Sequence, residues 1–132
     1  MEDTIFAKII RREASAEVLY EDEHTIAILN KFPNIEGETL IITKKQVAYV
    51  FALDEETYTH LMNTTRKIAT ALDTAFQTLR TCVVVEGFDV PHVHVRLYPV
   101  REKNLNLSHG PEASDEELKV VGAKIRPHIV HD

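Results

Sequence analysis

Pro91-His92-Val93-His94-Val95-Arg96-Leu97-Tyr98-Pro99 alternates polar and apolar residues without interruption. In an extended strand, side chains at i and i+2 share a face, about 6.6 Å apart. The spacing over residues 91–99 therefore predicts one row of His92, His94, Arg96 and Tyr98, backed by an apolar row of Val93, Val95 and Leu97. Pro91 and Pro99 mark strand boundaries, since neither can donate to a central ladder. The valines seat the strand in a core, so the imidazoles ride on a stiff support. Two imidazoles and a guanidinium on one row suit a phosphate. Arginine brings a permanent charge with forked donors, and a neutral histidine can attack phosphorus or bind a metal. The same pattern also describes a solvated strand face with ordinary polar residues.

Working outward, 132 residues describe one domain, 1–132, with room for a single core. Hydrophobic content of 44% with 27% charged residues fits an ordinary soluble globular protein. A net charge of −6 argues against a polyanion surface and hence against nucleic acid as partner, while leaving room for one small anion. The single cysteine, Cys82, lies in an apolar run and reads as a buried core thiol in a reducing compartment. No apolar run approaches the ~20 residues of a membrane span, and the acidic N-terminus is not a signal peptide. A cytoplasmic protein without membrane attachment is expected.

Along the chain, Asp3 or Thr4 can cap a short helix over residues 5 to about 12, with Ile5, Phe6, Ile9 and Ile10 as its apolar side. Strands are expected at 15–20, 25–30 and 38–43, with a turn-rich loop at 32–37 and a helical turn near 47–51. Asp54 caps a long helix running to about Leu79, its apolar face made by Tyr58, Leu61, Met62, Thr65, Ile68, Ala69, Leu72, Phe76 and Leu79. Residues 81–86 read as a buried strand that turns through 87–90 into the histidine-bearing strand as an antiparallel hairpin. The tail, 101–132, holds a loop and a helix opened by the capping box Ser114-Asp115-Glu116-Glu117, with residues 128–132 fraying and His109, His128 and His131 solvated. The order α-β-β-β-α-β-β-α predicts an α+β fold with a mainly antiparallel sheet of about five strands.

His92-Val93-His94-Val95-Arg96-Leu97-Tyr98 resembles the signature of the histidine triad (HIT) superfamily, His-φ-His-φ-His-φ-φ, except at its third histidine. Residues 4–13 (Thr-Ile-Phe-Ala-Lys-Ile-Ile-Arg-Arg-Glu) and 20–23 (Tyr-Glu-Asp-Glu) resemble the family's opening helix and first hairpin. Residues 37–45 (Gly-Glu-Thr-Leu-Ile-Ile-Thr-Lys-Lys) are similar to its Gly-His-Thr-Leu-Val-Ile-Pro-Lys-Lys strand. The resemblance covers residues 4 to about 100 and is nearest the Hint-like branch.

The resemblance implies a hydrolase that acts on the α-phosphorus of nucleoside phosphoramidates, adenylates or dinucleotides. His94 would be the nucleophile, forming a nucleotidyl-histidine that water then cleaves, and His92 would orient the site. Ile5, Phe6, Ile9 and Ile28 would line the base pocket, and Asn30 would meet the ribose hydroxyls. A homodimer, built through the long helix and a shared sheet, is also implied.

The departures matter as much. Arg96 replaces the third histidine and Glu38 replaces the histidine of Gly-His-Thr-Leu, so an ion pair between Glu38 and Arg96 is expected. Arg96 cannot act as a proton donor near neutral pH, yet it can neutralise phosphate charge. The related galactose-1-phosphate uridylyltransferases place glutamine there and remain enzymes. Phe88 and Asp89 stand where the family's phosphate loop touches the substrate. Thr4, Ala7 and Gln46 occupy three of the four positions that hold structural zinc in many bacterial relatives, leaving only His92. No metal and no cofactor are expected. Two alternatives stand beside the hydrolase: a nucleotide-binding protein whose catalysis is weak or lost through Arg96 and Asp89, and a His-x-His metal site with Asp89.

Overall fold

The computed structural model describes residues 3–131. Five strands form one antiparallel sheet in the order β1-β2-β3-β5-β4: β1 Val18–Glu21, β2 Thr25–Leu29, β3 Thr39–Thr43, β4 Arg80–Val84 and β5 His94–Val100. Three α-helices complete the fold: α1 Ile5–Ile10, α2 Glu55–Phe76 and α3 Asp115–Ile125. The α+β fold with a five-stranded antiparallel sheet is the one the hydrophobic periods predict.

The sheet is covered on both faces. On one side, Ala27, Leu29, Ile41, Val95 and Leu97 pack with Leu61, Ile68, Ala71 and Leu72 of α2 and with Leu118 and Ile125 of α3. On the other, Ile26, Ile28, Leu40 and Ile42 pack with Phe6 and Ile9 of α1. This explains why every residue of β2 and β3 is buried: these strands lose their period-two pattern because both faces are apolar. In β5 the alternation survives, with Val95 and Leu97 toward α2 and the polar row toward α1.

Each helix begins where its capping residue dictates. The Thr4 hydroxyl accepts from Ala7 N–H, Asp54 from Thr57 N–H, and Ser114 with Glu117 closes a full capping box. α2 stops at Phe76, short of Leu79, because Gln77 takes a left-handed conformation (φ 50°) and Thr78 and Thr81 donate to the Asp73 carboxylate. Its buried stripe is Leu61, Thr64, Thr65, Ile68, Ala71 and Leu72, while Tyr58, Met62 and Leu79 are exposed.

Four expectations need correction. β5 runs from His94 to Val100, so His92 precedes the strand and is held by contacts of its own, and Pro99 lies within it opposite Thr81 of the edge strand. β4 is an edge strand with Val83 and Leu79 exposed, and Cys82 is only half-buried. Ile5 lies off the buried side of α1, which is made by Phe6, Ala7 and Ile9. The C-terminal segment does not fray at once: Ile129 packs into the core, and of this segment Asp132 alone lies outside the described residues.

The 101–113 segment lies against the loop after β2. Gly110 N–H donates to the Phe32 carbonyl and Ala113 N–H to that of Lys31. A Cβ at residue 110 would fall 1.9 Å from the Pro33 carbonyl oxygen, so only glycine permits the approach.

Candidate active site

His92 is tied at both ring nitrogens. Nε2–H donates to the Thr43 carbonyl at 2.6 Å, and because a carbonyl only accepts, Nδ1 is left to accept from the Thr4 hydroxyl at 3.0 Å. Thr4 Oγ1 simultaneously accepts from Ala7 N–H at 3.0 Å, so one side chain caps α1 and fixes His92. The ring is fully buried, and burial pushes its pKa down, against the pull of the Thr43 carbonyl.

His94 is oriented by the same logic. Its Nδ1–H donates to the carbonyl of His92 at 2.7 Å, which places the free lone pair on Nε2. Phe6 sets an edge against the ring, centroids 4.8 Å apart at 66°. The residue is 3% exposed. Burial lowers its pKa, the His92 carbonyl opposes this, and Arg96 adds to the lowering while Glu86 works against it. The result is a neutral imidazole at physiological pH, which is the protonation state a nucleophile needs.

Arg96 shares the face of His94 and Tyr98. Burial opposes its charge, but Tyr98, Glu86 and Glu38 hold its pKa above the ordinary arginine range. The expected partner is wrong. No ion pair joins Arg96 to Glu38; Arg96 Nη2 instead lies 3.4 Å from Glu86 Oε1. Register explains it, because Val84 of β4 stands opposite Arg96 and brings Glu86, two residues further, to the guanidinium. Glu38 is spent elsewhere: its carboxylate accepts from the Asn30 side-chain amide and, at 2.8 Å, from Asn34 N–H. Asn30 Oδ1 in turn accepts from Phe32 N–H at 3.0 Å.

The remaining predicted site residues divide. Phe6, Ile9 and Ile28 cluster on the triad face, with Ile9 also lining a cleft of about 350 Å3 beside Ala14, Ala16 and Val18. Ile5 stands outside this cluster, 48% exposed. Phe88 is 89% exposed, and the Asp89 carboxylate lies 3.7 Å from His109 Nε2. Thr4, Thr43 and Glu86 were not foreseen in these roles. For Glu86 the signal was present: an acid at the start of the loop that leads into an arginine-bearing strand. Among the described residues no group of three or more His, Cys, Asp or Glu side chains is arranged to hold a metal ion.

The model of the HIT domain matches residues 11–103, most of the chain. This chain belongs to the HIT family. Members of that family are commonly nucleotide-binding hydrolases. Among HIT relatives, the adenosine 5'-monophosphoramidase of Saccharomyces cerevisiae is 32% identical over 120 residues, covering 89% of this chain and 75% of the yeast protein. An uncharacterised HIT-like protein of Synechococcus elongatus is 34% identical over 101 residues, covering 73% of this chain and 89% of its own. Among solved HIT structures, a Hit-like protein involved in cell-cycle regulation from Bartonella henselae, with an unknown ligand, superposes with TM-score 0.87 at 30% identity, covering 97% and 98% of the two chains. A hypothetical histidine triad nucleotide-binding protein from Sulfolobus tokodaii superposes with TM-score 0.83 at 26% identity, covering 93% and 89%.

Proposed function

We propose that this HIT protein hydrolyses nucleoside phosphoramidates, adenylates or dinucleotides at the α-phosphorus, with His94 as nucleophile. The observation that carries this reading is the 2.7 Å bond from His94 Nδ1 to the His92 carbonyl, which leaves Nε2 unprotonated. Attack by Nε2 forms a P–N bond to His94 as the bond to the leaving group breaks. Water then attacks the same phosphorus, and the nucleoside monophosphate departs with the imidazole neutral again. His92 positions the nucleophile through its backbone carbonyl, while its own ring is locked by Thr4 and Thr43. Arg96 stabilises charge on the phosphoryl oxygens but holds no proton to give, so the leaving group takes its proton from solvent.

The base is assigned to the apolar ground between Phe6, Ile9 and Ile28, and the ribose to Asn30, whose amide is held by Glu38. The yeast relative's name, a monophosphoramidase, favours phosphoramidates among the substrate classes. The whole chain, 1–132, is taken as one domain acting without metal or cofactor. A cytoplasmic location and a homodimer belong to the same proposal. The dimer is supported by the exposed apolar side chains Leu79, Val83 and Val85 on and beside edge strand β4. No described helix is long and apolar enough to cross a membrane.

Incubation with adenosine phosphoramidate tests the reaction. AMP release that disappears in His94→Ala is expected. Binding of AMP without turnover of any of these compounds favours the reading in which catalysis is weak or lost through Arg96 and Asp89.

A further inference from the structure

Arg96 is matched in charge but poorly matched in hydrogen bonds. Its side chain is 11% exposed, and its nearest polar neighbours are Tyr98 Oη at 3.5 Å and Glu86 Oε1 at 3.4 Å. A well-made arginine–carboxylate pair sits at about 2.7–2.9 Å and is often bidentate. Here Arg96 Nε and Glu86 Oε1 are both buried with no hydrogen-bond partner among the described residues. Buried polar groups left without partners call for a physical reason. The other carboxylate oxygen of Glu86 accepts from Phe88 N–H at 3.0 Å, so the loop holds this acid beside the guanidinium.

We propose that Glu86 is a specificity-determining residue that selects substrates by the charge on their α-phosphate. This rests on the nucleotide-hydrolase reading above. With His94 neutral, the Arg96–Glu86 pair leaves the phosphate position with no net positive charge. A phosphoramidate or phosphate diester brings one negative charge, and its oxygens can satisfy Arg96 Nε. A phosphate monoester brings about −1.5 to −2 near neutral pH and meets the Glu86 carboxylate as a like charge. The reaction converts the first kind of compound into the second. Glu86 therefore admits the substrate and expels the product.

The test is calorimetric binding of two ligands, AMP and its singly charged methyl ester, to the full chain and to the Glu86→Gln and Glu86→Ala variants. Glutamine keeps an acceptor for Phe88 N–H, alanine does not, and a thermal melt of each variant checks that it is folded. The native protein should bind the methyl ester more tightly than AMP, a comparison that needs no variant. Removing the carboxylate should tighten AMP by at least about tenfold while changing the ester by no more than about threefold. Equal changes for both ligands, no change, or a native preference for AMP would overturn the inference. Weaker AMP binding in both variants would do so too, showing that Glu86 only positions Arg96. If neither ligand binds any of the folded proteins, the nucleotide reading itself fails.

Discussion

The hydroxyl of Thr4 and Nδ1 of His92, 88 positions apart in the chain, are 3.0 Å apart in the fold. Thr4 stands at a position where the family resemblance implied a zinc ligand, and here a hydroxyl makes the tie between α1 and the triad. Thr4→Val removes both the cap of α1 and the donor to a buried ring nitrogen. A loss of about 1–3 kcal/mol in urea unfolding is expected. Thr4→Ser, which keeps the hydroxyl, should fall within about 1 kcal/mol of the native protein. Equal losses for the two variants would show that the hydroxyl does not matter.

Stability should fall as the solution is acidified below neutrality. His92 and His94 have pKa values lowered by burial, so the unfolded chain binds protons that the folded one refuses. Their contribution is complete above the unfolded value of about 6.5 and is lost progressively as pH drops through it toward the folded values. Melting temperature measured from pH 7.5 down to pH 5.5 should therefore decline. His92→Gln should lose stability at pH 7.5 and show a shallower decline below it. A flat native profile across that window would mean that the rings do not titrate as their burial requires.

In the proposed reaction, Arg96 supplies charge without acid catalysis. Arg96→Met should reduce the rate of AMP release by about 10²-fold or more, the scale seen when one donor to developing charge is removed. Arg96→Lys should recover part of it, since charge survives without the fork. A rate unchanged in Arg96→Met would remove the guanidinium from the chemistry.

Leu79 and Val83 are 58% and 48% exposed at the edge of the sheet. If this edge joins two copies, sedimentation of the native protein should report a dimer, and Val83→Lys should shift it to a monomer with an unchanged circular dichroism spectrum. A native monomer would leave the edge without the partner the dimer proposal gives it.

Much of this was legible in the residues alone. The period of residues 91–99 placed His94, Arg96 and Tyr98 on one strand face, and the caps at Thr4, Asp54 and Ser114 located the helices, because these signals are local. The choice of Glu38 as partner for Arg96 failed because pairing depends on register. The offset between β4 and β5 put Glu86 at the guanidinium, and nothing local to Glu38 reveals that Asn30 and Asn34 claim it. Strand β4 looked buried from its valines, but composition does not distinguish a central strand from an apolar edge. Ile5 was assigned to the pocket by the family resemblance, and it lies one step around from the stripe that Phe6 and Ile9 form.

The central claim is that Nε2 of His94 bonds covalently to phosphorus. The most direct measurement is mass spectrometry of peptides from protein quenched in base during turnover of adenosine phosphoramidate. An adenylyl group on the peptide carrying His94, absent in His94→Ala, is the predicted result. Adduct on another residue, or AMP released at the native rate by His94→Ala, would contradict it.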